Sequence, residues 1–165
     1  MAFFFAADFT DYTRIYTELS ISQAGLERGL GLFRFYILGV VLMGELVHGD
    51  VTKKIIGAAF EVHRTLGNRF LEVVYEEALC HELSLLGVPF ERQVYVPIHY
   101  KGIVVGTHRL DLLVQKQVVV ELKAVESIAD IHKSIVLSYL AATQLPLAII
   151  INFKSPSLEF KRVVR

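Results

Sequence analysis

Residues Arg109–Ala124 read RLDLLVQKQVVVELKA, two apolar runs joined by the short polar connection Gln115-Lys116-Gln117. Aliphatic, β-branched runs with so short a link predict a β-hairpin. On its second strand, side chains alternate between faces, so Val118, Val120 and Leu122 point one way and Val119, Glu121 and Lys123 the other. Placing a carboxylate and an ammonium among such apolar neighbours costs roughly several kcal/mol unless something compensates them. Register decides where the third charge of the stretch, Asp111, falls. A turn centred on Lys116 sets Asp111 opposite Glu121, whereas a shift of one residue sets it opposite Val120 and parts the two acids. Both faces are apolar, so the pattern permits either. In the first register two carboxylates share a rung beside a lysine, an arrangement that calls for a cation between them. Oxygen ligands of this kind suit Mg²⁺ or Mn²⁺.

Outward from the hairpin, the pattern alternates helical and strand periods. Asp50 is a candidate cap for a helix over Val51–Leu66, whose apolar stripe is Ile55, Ala58, Ala59 and Val62, with Gly67-Asn68 as its stop. A second helix is predicted over Leu71–Leu86. At 100° per residue its apolar arc is Leu71, Val74, Tyr75, Ala78, Leu79, Leu85 and Leu86, with Glu72 on the shoulder, Glu76 toward solvent and Glu82 near the middle. A carboxylate at Glu82 would pair with a cation such as Arg92. Glu91–Ile98 reads as a strand, Lys101-Gly102 as a turn, Ile103–Gln115 and Val118–Ala124 as the hairpin strands, and Ile131–Ala142 as a helix. The unbroken run Leu147–Asn152 (LAIIIN) reads as a fully buried strand, and Leu158–Val164 as a final edge strand carrying Lys161 and Arg162. The fold class is therefore α/β (α+β), in the order α-α-β-β-β-α-β-β, a mixed sheet flanked by helices.

Length and composition fit one packed domain: 165 residues, 53% hydrophobic and 21% charged. Seventeen basic and 17 acidic residues give no net charge. Any hold on a polyanion must then come from a local patch. The single cysteine, Cys80, rules out an internal disulfide, fits a reducing, cytoplasmic compartment and reads as a packing residue. The six histidines lack metal-ligand spacing, and there is no GxSxG, phosphate-binding loop or dinucleotide fingerprint, so no small-molecule cofactor is expected.

The first 42 residues read differently from residues 43–165. MAFFFAADFT lacks a basic start and is followed by Asp11 and Glu18, unlike a signal peptide, and Phe35–Met43 falls well short of the roughly 20 apolar residues a membrane span needs. Residues 1–42 are thus an N-terminal extension: a docked helix, an apolar arm, or a segment outside the functional unit, which would then begin at Met43.

Asp111 followed by Glu121-Leu122-Lys123 has the D…ExK form of PD-(D/E)XK nucleases. From Gly44 to Val164 the chain resembles the GxxExxY proteins of that superfamily, through AAFEVHRTLGNRFLEVVYEEAL, ERQVYVPIHYKG, RLDLLV, VVVELKAVE, YL and INF. The resemblance implies a restriction-endonuclease-like fold and metal-dependent hydrolysis of phosphodiester bonds in nucleic acid, DNA rather than RNA. It places Asp111 and Glu121 on the metal, Glu72 as a further metal or water ligand, and Lys123 on the attacking water or the growing phosphate charge. Tyr75 matches the motif's tyrosine, and Tyr139 the tyrosine of a later helix on which His132 would face the same cleft. The motif's first glycine is Arg69 here and its later-helix glutamine is Ile135. A catalytically inactive binding module for nucleic acid or a protein partner is the alternative reading.

Overall fold

A computed structural model of the chain describes residues 48–165. The expectations for residues 1–42 lie outside the described residues. The elements are α1 (Gly49–Leu66), α2 (Glu72–Leu85), β1 (Phe90–Tyr100), β2 (Ile103–Val114), β3 (Val118–Lys123), α3 (Asp130–Thr143), β4 (Leu147–Asn152) and β5 (Glu159–Val164). This is the order read from the sequence. The five strands lie side by side in chain order, antiparallel throughout except for β3 and β4, which run parallel because α3 carries the chain back over the sheet. Among the described residues no helix is long and apolar enough to cross a membrane.

Each face of the sheet has its own core. Val118, Val120 and Leu122 of β3 and Leu147, Ile149 and Ile151 of β4 pack with Ile55, Ala59 and Val62 of α1 and Tyr75, Leu79 and Leu83 of α2. Val119, Ala148 and Ile150 face the other way, onto Val136 and Leu140 of α3. Burial on both faces explains why β4 is apolar at every position but its last.

Two local readings are corrected. Asp50 does not cap α1: the helix begins at Gly49, two residues before the expected Val51, His48 holds the left-handed cap position, and Asp50 stands in the first turn, where its charge favours the helix dipole. In α2 the buried stripe is Tyr75, Glu76, Leu79, Cys80 and Leu83, while Leu71, Val74, Leu85 and Leu86 are exposed. Apolar residues run all round this helix, so angular spacing alone mis-centred it. Glu76, assigned to solvent, is buried because Arg92 covers it, donating from Nε at 3.1 Å and Nη2 at 2.9 Å; Glu77 takes the rest of the guanidinium. Arg92 therefore pairs with Glu76 and Glu77, not Glu82. Cys80 packs in this core, and burial pushes its thiol up to about 11, which keeps it protonated and inert.

Tyr75 holds the α1–α2 connection. Its ring stacks on Phe153 at 4.5 Å and 5°. Its hydroxyl donates to the Gly67 carbonyl at 2.9 Å and accepts from the Phe70 N–H at 3.1 Å. Gly67 turns the chain there with φ +70°, which a side chain would strain. Tyr75→Phe, which strands both backbone groups, is expected to lower unfolding free energy by about 1–3 kcal/mol in urea titrations, and Tyr75→Ala by about 3–5 kcal/mol.

Candidate active site

The hairpin register is the one centred on Lys116. Val114 pairs with Val118, Leu113 with Val119 and Leu112 with Val120, which one residue further sets Asp111 opposite Glu121. The turn achieves this with Gln115 and Lys116 both left-handed, φ 52° and 56°, and Gln117 N–H donating to the Val114 carbonyl at 3.0 Å. Neither residue is the Asn or Gly that normally advertises such a turn.

Past Leu112 the ladder between β2 and β3 ends. Oδ2 of Asp111 accepts the Leu122 N–H at 2.8 Å, taking over from the backbone. On the other side of β2 the pairing with β1 also skips a rung, between Arg92↔Leu112 and Val94↔Leu110, where Gln93 adopts φ 48°. The faces swap across this break: Leu112 belongs to the core under α1 and α2, Leu110 to the core under α3. Asp111 thus sits at a kink where its strand leaves the sheet, with one carboxylate oxygen fixed by the main chain.

Glu121 and Lys123 project from β3 beside it. Lys123 Nζ donates to Glu121 Oε1 at 2.7 Å and to the Leu122 carbonyl at 2.7 Å. Glu121 is only 5% exposed, and its second oxygen, Oε2, is buried with no hydrogen-bond partner. Burial, then the charge of Asp111, pushes the Glu121 carboxyl up to about 7 despite the opposing pull of Lys123. Glu72, the first residue of α2, is half-buried and also raised, chiefly by burial, with Lys123 pulling it down and Asp111 adding to the rise. Tyr139 of α3 is pushed up to about 12 by burial and by the charges of Glu121 and Asp111, and its ring meets that of His108 edge-on at 4.9 Å.

The fold thus gathers Asp111, Glu121, Lys123 and Glu72, with Tyr139 beside them. It does not bring Tyr75 or His132 there: Tyr75 lies in the core beneath α1 and α2, and His132 Nδ1 accepts the Ala129 N–H at 3.0 Å to cap α3. Among the described residues no three His, Cys, Asp or Glu side chains already stand close enough to hold a metal ion. The donor set still fits a hard divalent cation. Two carboxylates meet with one buried oxygen lacking a donor, and Mg²⁺ is commonly held by one or two carboxylates with waters filling the rest.

Two further polar residues, neither predicted as part of the site, brace the chain just after Lys123. Fully buried Asn152, opposite Lys123 in the parallel pair, donates from Nδ2 to the Val125 carbonyl at 2.8 Å and to Glu159 Oε2 at 3.0 Å, while its Oδ1 accepts the Val125 N–H at 3.1 Å. Glu159 in turn accepts the Ile128 N–H at 3.1 Å. Together they clamp the segment that leaves Lys123 for α3. The one hint was a lone Asn closing an otherwise apolar run.

The raised Glu121 carboxyl makes metal-free stability fall as pH rises from about 4.5 to about 7, because over that window the folded state holds a proton the unfolded chain has released. Glu121→Gln is expected to flatten this dependence and to raise stability at pH 8 in EDTA by about 1–3 kcal/mol, as thermal unfolding across pH will measure.

The family model of the PD-(D/E)XK nuclease superfamily matches residues 49–163. No match is found among curated proteins. Among solved structures, the chain resembles one titled "Crystal structure of SSO0001", with 16% identity, coverage of 98% of this chain and 80% of that one, and a TM-score of 0.47. With the family match spanning most of the chain and a sheet that sets Asp111 beside Glu121 and Lys123, the protein belongs to the PD-(D/E)XK nuclease superfamily.

Proposed function

We propose that this protein, a GxxExxY-type member of its superfamily, is a Mg²⁺- or Mn²⁺-dependent nuclease that hydrolyses phosphodiester bonds in DNA in the cytoplasm. The observation that carries the proposal is the Glu121 oxygen buried without a donor beside Asp111, at the point where β2 parts from β3. Asp111 and Glu121 would hold the ion, with Glu72 as a further ligand or a water's acceptor. A bound ion supplies charge that acidifies a water and neutralises the phosphate. Asp111 contributes a carboxylate already oriented by the Leu122 N–H, so little ordering remains when a ligand arrives. Lys123 holds its ammonium on the spot, against Glu121. Drawn off Glu121 by a phosphate, it donates to the oxygen on which charge grows. Tyr139 keeps its phenol proton, so it can offer a hydrogen bond to the phosphate but does not serve as a base.

A second reading, the catalytically inactive binding module, draws on two features. The Glu121–Lys123 pair is closed and largely shielded, with side chains 7% and 15% exposed, and Ile135 stands where relatives of the GxxExxY type carry glutamine. A module of this kind binds nucleic acid or a protein without metal-dependent cutting, and a Mn²⁺ titration that tracks cleavage would count against it.

The purified protein is expected to cut DNA only with a divalent ion, and Asp111→Ala and Glu121→Ala to abolish cutting with circular dichroism unchanged. Lys123→Met is expected to slow cutting by about 10²–10³-fold while calorimetry still detects the ion. Activity persisting in both acid variants would reject the proposal.

A further inference from the structure

β2 pairs with β3 only from Leu112 onward, so Ile103–Asp111 is paired with β1 alone. This leaves a two-stranded ribbon rooted next to Asp111. Near its base Val94 and Val96 pack toward α3, but every residue from His99 to Val105 is exposed. Its charge is one-sided. No acid occurs between Glu91 and Asp111, while the same stretch carries Arg92, Lys101, Arg109, His99 and His108, in a chain of no net charge. Arg92 is used by Glu76 and Glu77; among the described residues Lys101 and Arg109 make no ion pair.

The cations alternate with exposed aromatics. Tyr95, 69% exposed, pairs across the strands with Arg109, and at the tip Tyr100 underlies the Lys101 ammonium at 5.5 Å. Arg109 is two residues from Asp111, and Lys101, eight residues further out, lies roughly 26 Å away at about 3.3 Å per residue, about three-quarters of the ~34 Å of one duplex turn. The ribbon's free edge is poorly suited to pairing with a second copy. Pro97 lacks an N–H, Gln93 breaks the strand with φ 48°, and the register slips between Ile98 and His99. The major groove of B-form DNA admits a two-stranded ribbon, whereas the deep, narrow one of A-form RNA does not.

We infer that the β1–β2 ribbon is a duplex-DNA-binding arm, with Arg109 engaging phosphates near the cleavage site and Lys101 engaging phosphates further along the duplex. The inference rests on the phosphodiester reading of the Asp111–Glu121 site. The ribbon therefore grips DNA on one side of the cut, and its grip needs no metal.

The test is binding of the full chain to a fluorescein-labelled DNA duplex of about two helical turns, by anisotropy in EDTA over a range of salt. Lys101→Ala/Arg109→Ala is expected to bind about tenfold more weakly, with the salt slope reduced by about two, close to one unit for each phosphate no longer neutralised. The control Lys53→Ala/Arg64→Ala, on α1, leaves the slope unchanged, and Lys101→Glu alone, at the exposed tip, weakens binding further than Lys101→Ala. Wild-type affinity and slope in the ribbon variants, or no binding of duplex by the wild type, would overturn the inference. So would preferential, ribbon-dependent binding of single strands or duplex RNA, or a change in light-scattering mass with DNA binding intact. Because EDTA removes cutting from the measurement, a protein that binds through the ribbon but never cuts sinks only the nuclease proposal. One that cuts but ignores the ribbon substitutions sinks only this inference.

Discussion

The structure turns on one substitution of partners: the Asp111 carboxylate accepts the Leu122 N–H where the backbone ladder between β2 and β3 stops. An antiparallel pair that continued in register would hold both acids on one rung of the closed sheet, with Lys123 alone beside them. Parting the strands opens the ladder beside Glu121, while the side chain of Asp111 keeps the Leu122 N–H satisfied, which a bare gap would not. The opening therefore costs the sheet little in hydrogen bonding. Its cost is electrostatic: a buried carboxylate with one oxygen lacking a donor, stabilised only in part by Lys123. Strain of this sort at a fold's functional centre is the usual companion of a preorganised site.

Around that opening the two layers do different work. From one side α2 brings Glu72 with its first turn, and Tyr75, one turn later, anchors the same helix to Phe153 and the α1–α2 connection. From the other side α3 brings Tyr139. Asn152 and Glu159 tie down the segment between β3 and α3, which begins just after Lys123. The site is thus set by rigid elements, not by loops, as accurate positioning requires.

Much of this was legible in the sequence, and the failures have physical causes. The strands and the element order followed from period, because β3 and β4 are largely apolar on both faces and admit few alternatives; alternation joined Glu121 to Lys123, and the D…ExK resemblance added Asp111. The register could not be chosen for the same reason, and the turn that fixes it uses Gln115 and Lys116, residues that signal nothing. The buried face of α2 was misplaced because Val73, Val74, Leu85 and Leu86 are as apolar as Leu79 and Leu83, and because burial of Glu76 depends on Arg92, distant in sequence. The kink at Gln93 and Asp111, which swaps the faces of both strands, leaves alternation intact on either side and so is silent to any reading by period.

The two-sided burial of β4 also bears on how the chain avoids self-association. LAIIIN is a short, uncharged, strongly β-forming segment of the kind that stacks into cross-β aggregates when its edge is free. Here β5 closes that edge, and its central positions are Lys161 and Arg162, paired with Ile150 and Ile149. The outermost strand is thus a gatekeeper: it carries the charge of Lys161 along the sheet's edge while shielding a segment prone to fibril formation.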